Sequence, residues 1–279
     1  MGVHIVTDSA SDLPKDLVAE RGIAVVPLTV RFGDDREIVD GSITPDDFWA
    51  RCNSSAVLPQ TSAPSAGDFE EAFRKAAAAG ADGVVCVTLA SGLSATFSSA
   101  SAAAASVKDE IDVRVVDSRS ASLGEGLITL AAADSAASGA GLEAVEAATR
   151  NAADRTKVFA ALDTLEFLKK GGRIGGAQAF LGSLLSIKPI IEVGDGKVEP
   201  ESKQRTRTRA MQYLADKVKA AGPLERLAVV HGRAPDVDEF TDLLEDVSPK
   251  GGIMVSDVGA VIGAHSGPRL LGVTFQPTS

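Results

Sequence analysis

The sequence predicts an α/β protein in two domains. An amino-terminal α/β/α domain on a parallel sheet is expected over residues 1–155, and a carboxy-terminal α+β domain over residues 156–279. Three observations carry this reading. At 279 residues the chain is long for a single core. Its first half alternates short apolar strands with helices, the pattern of a parallel sheet covered on both faces. Its second half mixes a hairpin with helices.

The elements follow in order. Residues 3–7 (Val-His-Ile-Val-Thr) predict a buried strand. Asp8 to Pro14 predicts a loop opening a helix, with Asp or Ser as cap and Pro14 near the first turn. Residues 23–30 read as strand. Residues 66–79 predict a helix, with Phe69 and Phe73 four apart on one face. Residues 83–89 predict a second buried strand, 96–107 an alanine-rich helix, 113–117 a third strand and 124–137 another helix. From about residue 156 the pattern changes. A strand is expected over 158–162 and a helix over 163–170, ended by Gly171-Gly172. Residues 188–193 and 197–200 flank Gly194-Asp195-Gly196 as a hairpin. A helix over 206–221, a strand over 227–231, a helix over 236–246 and strands over 252–258 and 271–275 complete the chain. No internal repeat is visible.

Composition excludes several classes. Hydrophobic residues make up 44% and charged residues 24%, values of a folded globular chain. Aromatics are only 4%, so any internal cavity is expected to be lined by aliphatic groups. The net charge of −10 disfavours nucleic acid or an anionic membrane as a general partner. No apolar run is long enough for a membrane span, and no signal peptide is visible, which points to the cytoplasm. Cys52 and Cys86 are far apart without CxxC spacing, as expected of reduced thiols, although a single disulfide is compatible.

Three hydroxyl-rich segments stand out. Thr61-Ser62-Ala63-Pro64-Ser65 can offer donors to an anion, or simply cap the helix that carries Phe69. Ser91-Gly92-Leu93-Ser94-Ala95-Thr96 follows a strand and opens a helix, an anion-binding position in doubly wound sheets. Ser94 is also a candidate nucleophile, but the segment lacks the second glycine of G-x-S-x-G. Asp117 to Ser122 follows another strand and reads equally as a helix cap. Convergence of such loops at the carboxyl edge of one sheet would make a ligand site.

Two basic segments follow. Lys169, Lys170 and Arg173 surround a glycine stop, where cations suit a helix carboxyl end. Arg205, Arg207 and Arg209 alternate as on a strand edge or a solvated extended run. Val261 to Pro268 places His265, one of three histidines, among glycines; it reads as a turn, and also as a close approach to an anion. There is no P-loop, no G-x-G-x-x-G after a strand and no H-E-x-x-H. The scattered His and Cys residues make no metal set, so neither metal nor cofactor is expected.

Taken together and in order, these segments resemble the DegV family, fatty-acid-binding proteins of bacteria. The resemblance rests on Thr7-Asp8-Ser9, Thr61 to Ser65, Ser91 to Ser94, Asp117 to Ser122, Leu162 to Ile174, Ile187-Lys188-Pro189-Ile190, Arg205-Thr206-Arg207 and Gly263 to Pro268. It implies a two-domain fold with a long-chain fatty acid in a tunnel between the domains. It assigns the carboxylate end to Thr61 and Ser94, with Ser62 close by and His265 completing it. It implies a FakB-type carrier rather than an enzyme. Such a carrier presents the fatty acid to a separate dihydroxyacetone-kinase-like fatty acid kinase, and the acyl phosphate enters phospholipid synthesis. Arg173 and Arg205 are the implied kinase-docking residues. The chain departs from the family pattern at Ala63, Ala95, Phe97 and Arg269, the last replacing a glycine. Two other classes remain as alternatives: a serine hydrolase using Ser94 and His265 on a lipid-like ester, and a binder of nucleotides or sugar phosphates.

Overall fold

The computed structural model describes residues 2–55, 57–183 and 187–278. The first half runs β1 (Val3–Asp8), α1 (Lys15–Glu20), β2 (Ala24–Val26), β3 (Thr29–Arg31), β4 (Ile38–Val39), α2 (Pro45–Ser54), β5 (Gln60–Ser62), α3 (Ala66–Ala78), β6 (Gly83–Thr88), α4 (Thr96–Ser106), β7 (Val113–Asp117), α5 (Leu123–Ala137) and α6 (Leu142–Arg155). The second half runs β8 (Lys157–Ala161), α7 (Glu166–Lys170), β9 (Lys188–Gly194), β10 (Lys197–Gln204), α8 (Arg207–Ala220), β11 (Leu224–His231), α9 (Val237–Asp242), β12 (Ile253–Asp257), α10 (Ala260–Ser266) and β13 (Leu271–Pro277).

Strands β2-β1-β6-β7 form a four-stranded parallel sheet. Every residue of β6 is buried, because both faces of the sheet are covered. Val84 and Cys86 pack with Phe69 and Phe73 of α3 and Ala100 of α4. Val85 and Val87, on the opposite face, join the cluster holding Leu127 and Ile128 of α5 and Val145 of α6.

Strands β10-β9-β8-β13-β11-β12 form a six-stranded mixed sheet. One face carries α8 and α9, with Met211, Leu214 and Phe240 in its core. The other face meets α5, whose residues 123–130 are all buried, since this helix is sandwiched between the two sheets. The chain leaves the parallel sheet at α6 and enters the mixed sheet at β8, and we propose the division between the two domains at this switch, near residue 156.

Several expectations are revised. The strand expected over 23–30 is two strands in different sheets: Pro27 lacks a ladder donor, so β2 ends and β3 starts a three-stranded sheet, β4-β3-β5. Helix α2 was not anticipated, although Thr44 caps it by accepting from the Asp47 N–H at 3.1 Å and Pro45 stands in its first turn. Helix α6 was also missed; it fully buries only Val145, Thr149 and Ala152, and five of its fourteen residues are charged. The helix expected from 163 begins at Glu166, because Leu162 still donates to the Pro189 carbonyl at 3.0 Å. The Val261 to Pro268 turn is mostly helix α10, with His265 in its last turn. Both cysteines are free.

Candidate functional site: an interdomain cavity with one polar end

Because β1, β2, β6 and β7 are parallel, the loops at their carboxyl ends gather on one edge. Two bonds tie these loops together. Asp8 accepts from the Leu89 N–H at 2.8 Å, and Asp117 accepts from the Ser91 N–H at 3.2 Å. Opposite stands the inner face of the mixed sheet. Along β8 the side chains alternate: Phe159 and Ala161 go to the α8 side, while Val158, Ala160 and then Leu162 face the loops. Between loops and sheet lies a cavity of about 200 Å³, partly open to solvent. Its walls are aliphatic, with Leu89, Leu93, Ile191, Val193, Val230 and Leu270 among them.

Polar groups gather where α7, α10 and β5 meet. Thr61 Oγ1 and His265 Nε2 share a hydrogen bond of 2.9 Å. Ser94, Arg173 and Ser266 line the same cavity. Ser94 Oγ lies 2.8 Å from Thr96 Oγ1 and accepts from the N–H of Thr96, the first residue of α4, at 3.3 Å. Arg173 donates to the Leu93 carbonyl at 3.1 Å and the Gly171 carbonyl at 2.7 Å, which fixes its guanidinium at the rim. Burial and, next, the Arg173 charge push His265 down to about 4, so its imidazole is neutral at pH 7. A neutral imidazole, hydroxyls and a guanidinium beside an aliphatic slot have the chemistry to receive one anionic head with an apolar tail.

Gly171 allows this arrangement. A Cβ there would lie 2.3 Å from His265 Nδ1. Gly267, at φ 79, leaves room for the Phe167 ring, which a Cβ would meet at 2.7 Å.

The structure brings Thr61, Ser94, His265 and Arg173 to one cavity. Ser62 is not among them. Alternation along β5 turns it outward, where its hydroxyl donates to Glu37 at 3.3 Å. Arg205 is exposed on the bend between β10 and α8 and does not line the cavity. Arg207 and Arg209 are not on a strand edge: both lie in the first turn of α8, and Arg207 is tied to Asp236 at 2.8 and 3.0 Å. Of the Asp117 to Ser122 segment, only Ala121 and Ser122 reach the cavity. The Ser118 hydroxyl is engaged within the loop, donating to the Ser120 carbonyl at 3.2 Å and accepting from the Ser120 N–H at 3.1 Å. Ser266 was missed; its Oγ is buried and has no hydrogen-bond partner among the described residues. Its place directly after His265 was the available signal.

The Ser94–His265 pair of a hydrolase is not assembled. Ser94 bonds to Thr96, and His265 to Thr61. Among the described residues no group of three or more His, Cys, Asp or Glu is placed to hold a metal ion. No helix there is long and apolar enough to cross a membrane.

A protein-family model described as "Uncharacterised protein, DegV family" matches residues 2–278. The chain belongs to the DegV family. A DegV domain-containing protein of Streptomyces coelicolor is 41% identical over 279 residues, covering 98% of each chain. A fatty-acid-binding DegV family protein of Thermus thermophilus superposes with a TM-score of 0.91 at 36% identity, over 100% of both chains. DegV of Bacillus subtilis, described as a fatty acid binding protein, superposes with a TM-score of 0.85 at 31% identity, again over 100% of both. The fold is the α/β architecture of these DegV structures. Arg269 stands at φ 59, with its side chain 3.3 Å from Asp163.

Proposed function

We propose that this protein is a cytoplasmic carrier that binds one long-chain fatty acid between its domains. The carrying observation is the aliphatic cavity with a single polar end built from Thr61, Ser94, His265 and Arg173. The Thermus thermophilus and Bacillus subtilis relatives, described as fatty-acid binders, support the same use. Thr61 and Ser94 donate to the carboxylate, and the neutral His265 orients the Thr61 hydroxyl. Burying about 15 methylenes at ~0.8 kcal/mol each gives on the order of 12 kcal/mol before association and ordering costs. That is enough to retain the ligand.

The carboxylate sits near the rim beside Arg173, so a second protein can reach it. We infer that the second protein is a dihydroxyacetone-kinase-like, ATP-dependent fatty acid kinase, and that the acyl phosphate formed feeds phospholipid synthesis. Arg173 and Arg205 are the proposed docking cations. The chain itself is not the catalyst. Titration of delipidated protein with a long-chain fatty acid tests the binding step. Saturable binding at one site per chain is expected; no heat and no saturation would refute it. Hydroxylamine trapping of acyl phosphate in a mixture with such a kinase and ATP tests the second step.

A further inference from the structure

Helix α10 comes from the second half of the chain, yet it is seated against the first. Gly259 precedes it, Gly263 is at its middle and Gly267 ends it, four residues apart. A Cβ at Gly263 would lie 2.8 Å from the Phe48 ring and 3.2 Å from Trp49, both on α2. A Cβ at Gly259 would lie 2.7 Å from Asp12 Oδ1 and 3.5 Å from the Asp40 oxygens. The helix thus approaches the amino-terminal domain as closely as its backbone allows.

Two carboxyl groups receive its first N–H groups. Gly259 N donates to Asp12 Oδ1 at 2.9 Å, and Ala260 N donates to Asp40 Oδ1 at 3.1 Å. Asp12 is a hub. Its second oxygen accepts from Ser122 Oγ, and its backbone carbonyl accepts from Ser256 Oγ at 3.0 Å. Asp12 and Ser122 both have positive φ, at 50 and 55. Non-glycine residues hold that conformation only where the surroundings over-determine it. Ser122 lines the interdomain cavity, whereas Asp12 and Asp40 line a separate cleft on the other side of α10. Neither carboxyl touches the cavity where the ligand would lie.

We propose that Asp12 and Asp40 are positioning residues for the head-group end of the cavity: they fix where α10 begins, and thereby where His265 stands against Thr61. A helix advances 1.5 Å per residue as a stiff rod, so a shift at Ala260 is carried to His265 one and a half turns later. At that end the tolerances are tight. His265 has the Thr61 hydroxyl at 2.9 Å on one side and the Gly171 backbone against Nδ1 on the other. The ligand half of this proposal rests on the fatty-acid reading; the His265 half does not.

The test compares Asp12→Ala and Asp40→Ala with Asp12→Asn and Asp40→Asn. Two quantities are read: the His265 titration by NMR on ligand-free protein, and the affinities for a long-chain acid and for the alcohol of the same length. The cation acting on His265 is Arg173; Asp8 and Asp40 are the charged groups acting on Asp12. In the alanine variants His265 should titrate above its native value of about 4, toward 6.5. The preference for acid over alcohol should fall about tenfold, the worth of one hydrogen bond to a charged group. The asparagine variants keep an acceptor and should restore both readings. Should Asp12→Ala not fold, Gly259→Ala displaces the same carboxyl from the other side and must move both readings. An unchanged His265 titration, or acid and alcohol affinities falling in parallel, overturns the proposal. Wild-type protein that binds neither compound refutes the fatty-acid reading alone, while the His265 titration still decides the positioning role.

Discussion

Thr61 and His265 are 204 residues apart in the chain and share a hydrogen bond of 2.9 Å. Thr61 sits on β5 of the amino-terminal domain, and His265 on the last turn of α10. The bond closes the polar end of the interdomain cavity from both halves of the protein. It forms only when the two halves are correctly docked, so the polar end of the cavity and the domain packing are one property.

Replacing Thr61 or Ser94 by alanine should weaken fatty-acid binding. Each removes a hydroxyl from a charged acceptor, at a cost of about 1–3 kcal/mol. Calorimetric titration of each variant measures this. Unchanged affinity in both would move the carboxylate elsewhere.

Gly171→Ala should be destabilising although its backbone, at φ −74, tolerates alanine. The new Cβ would stand 2.3 Å from His265 Nδ1 and 3.0 Å from the Phe167 carbonyl. Overpacking of this kind costs about 1–3 kcal/mol. Urea unfolding should show the loss, together with weaker fatty-acid binding. Wild-type stability would mean that α7 and α10 separate freely.

Stability should fall as pH rises from about 4 to about 7. Burial raises Asp8 from 3.8 to about 7, and raises Asp12 and Glu125 well above the ordinary range. In this window the folded state holds protons that the unfolded chain has released, so rising pH favours unfolding by roughly 1.4 kcal/mol per unit per extra proton. The contribution is fully present below the unfolded value and is lost once the folded value is passed. His265, lowered to about 4, acts in the opposite direction between that value and 6.5. Asp8→Asn and Glu125→Gln isolate the acid contribution: each should flatten the fall, read as unfolding free energy at pH 5 and pH 8. Parallel curves for wild type and both variants would contradict it.

Much of this was legible in the sequence. The strand β7 is read off its apolar run residue for residue, and β1 and β6 to within one residue at their ends; Ser94 and His265 were marked by their glycine neighbours. What failed has physical causes. Alternation along β5 decides that Thr61 points inward and Ser62 outward, and a three-residue strand carries too little pattern to show it. Glycines 263 and 267 read as turn punctuation, and Gly259 carries no signal of its own. Their purpose is close packing against Asp12, Phe48 and Phe167, which becomes visible only in three dimensions. Arg207 looked like one of a basic row, but its partner Asp236 lies 29 residues on.

Arg205→Ala should keep fatty-acid binding and lose acyl-phosphate formation with a dihydroxyacetone-kinase-like kinase and ATP, whereas Arg173→Ala, at the polar end of the cavity, should lose acyl-phosphate formation and also weaken binding. Both residues are exposed, and Arg173 is held at the rim by two backbone carbonyls. Rising salt should weaken the wild-type rate, since exposed charges are screened within about 8–10 Å near physiological ionic strength. Normal turnover in both variants at low and high salt would leave these arginines as solvated surface groups.

The central claim is that the cavity holds a fatty acid. Mass spectrometry of the protein purified under native conditions, followed by analysis of its solvent extract, tests it most directly. The account predicts a mass increment of one long-chain fatty acid per chain and the same acid in the extract. Protein at its bare sequence mass, with an extract free of acyl chains and no uptake of added fatty acid, would contradict it.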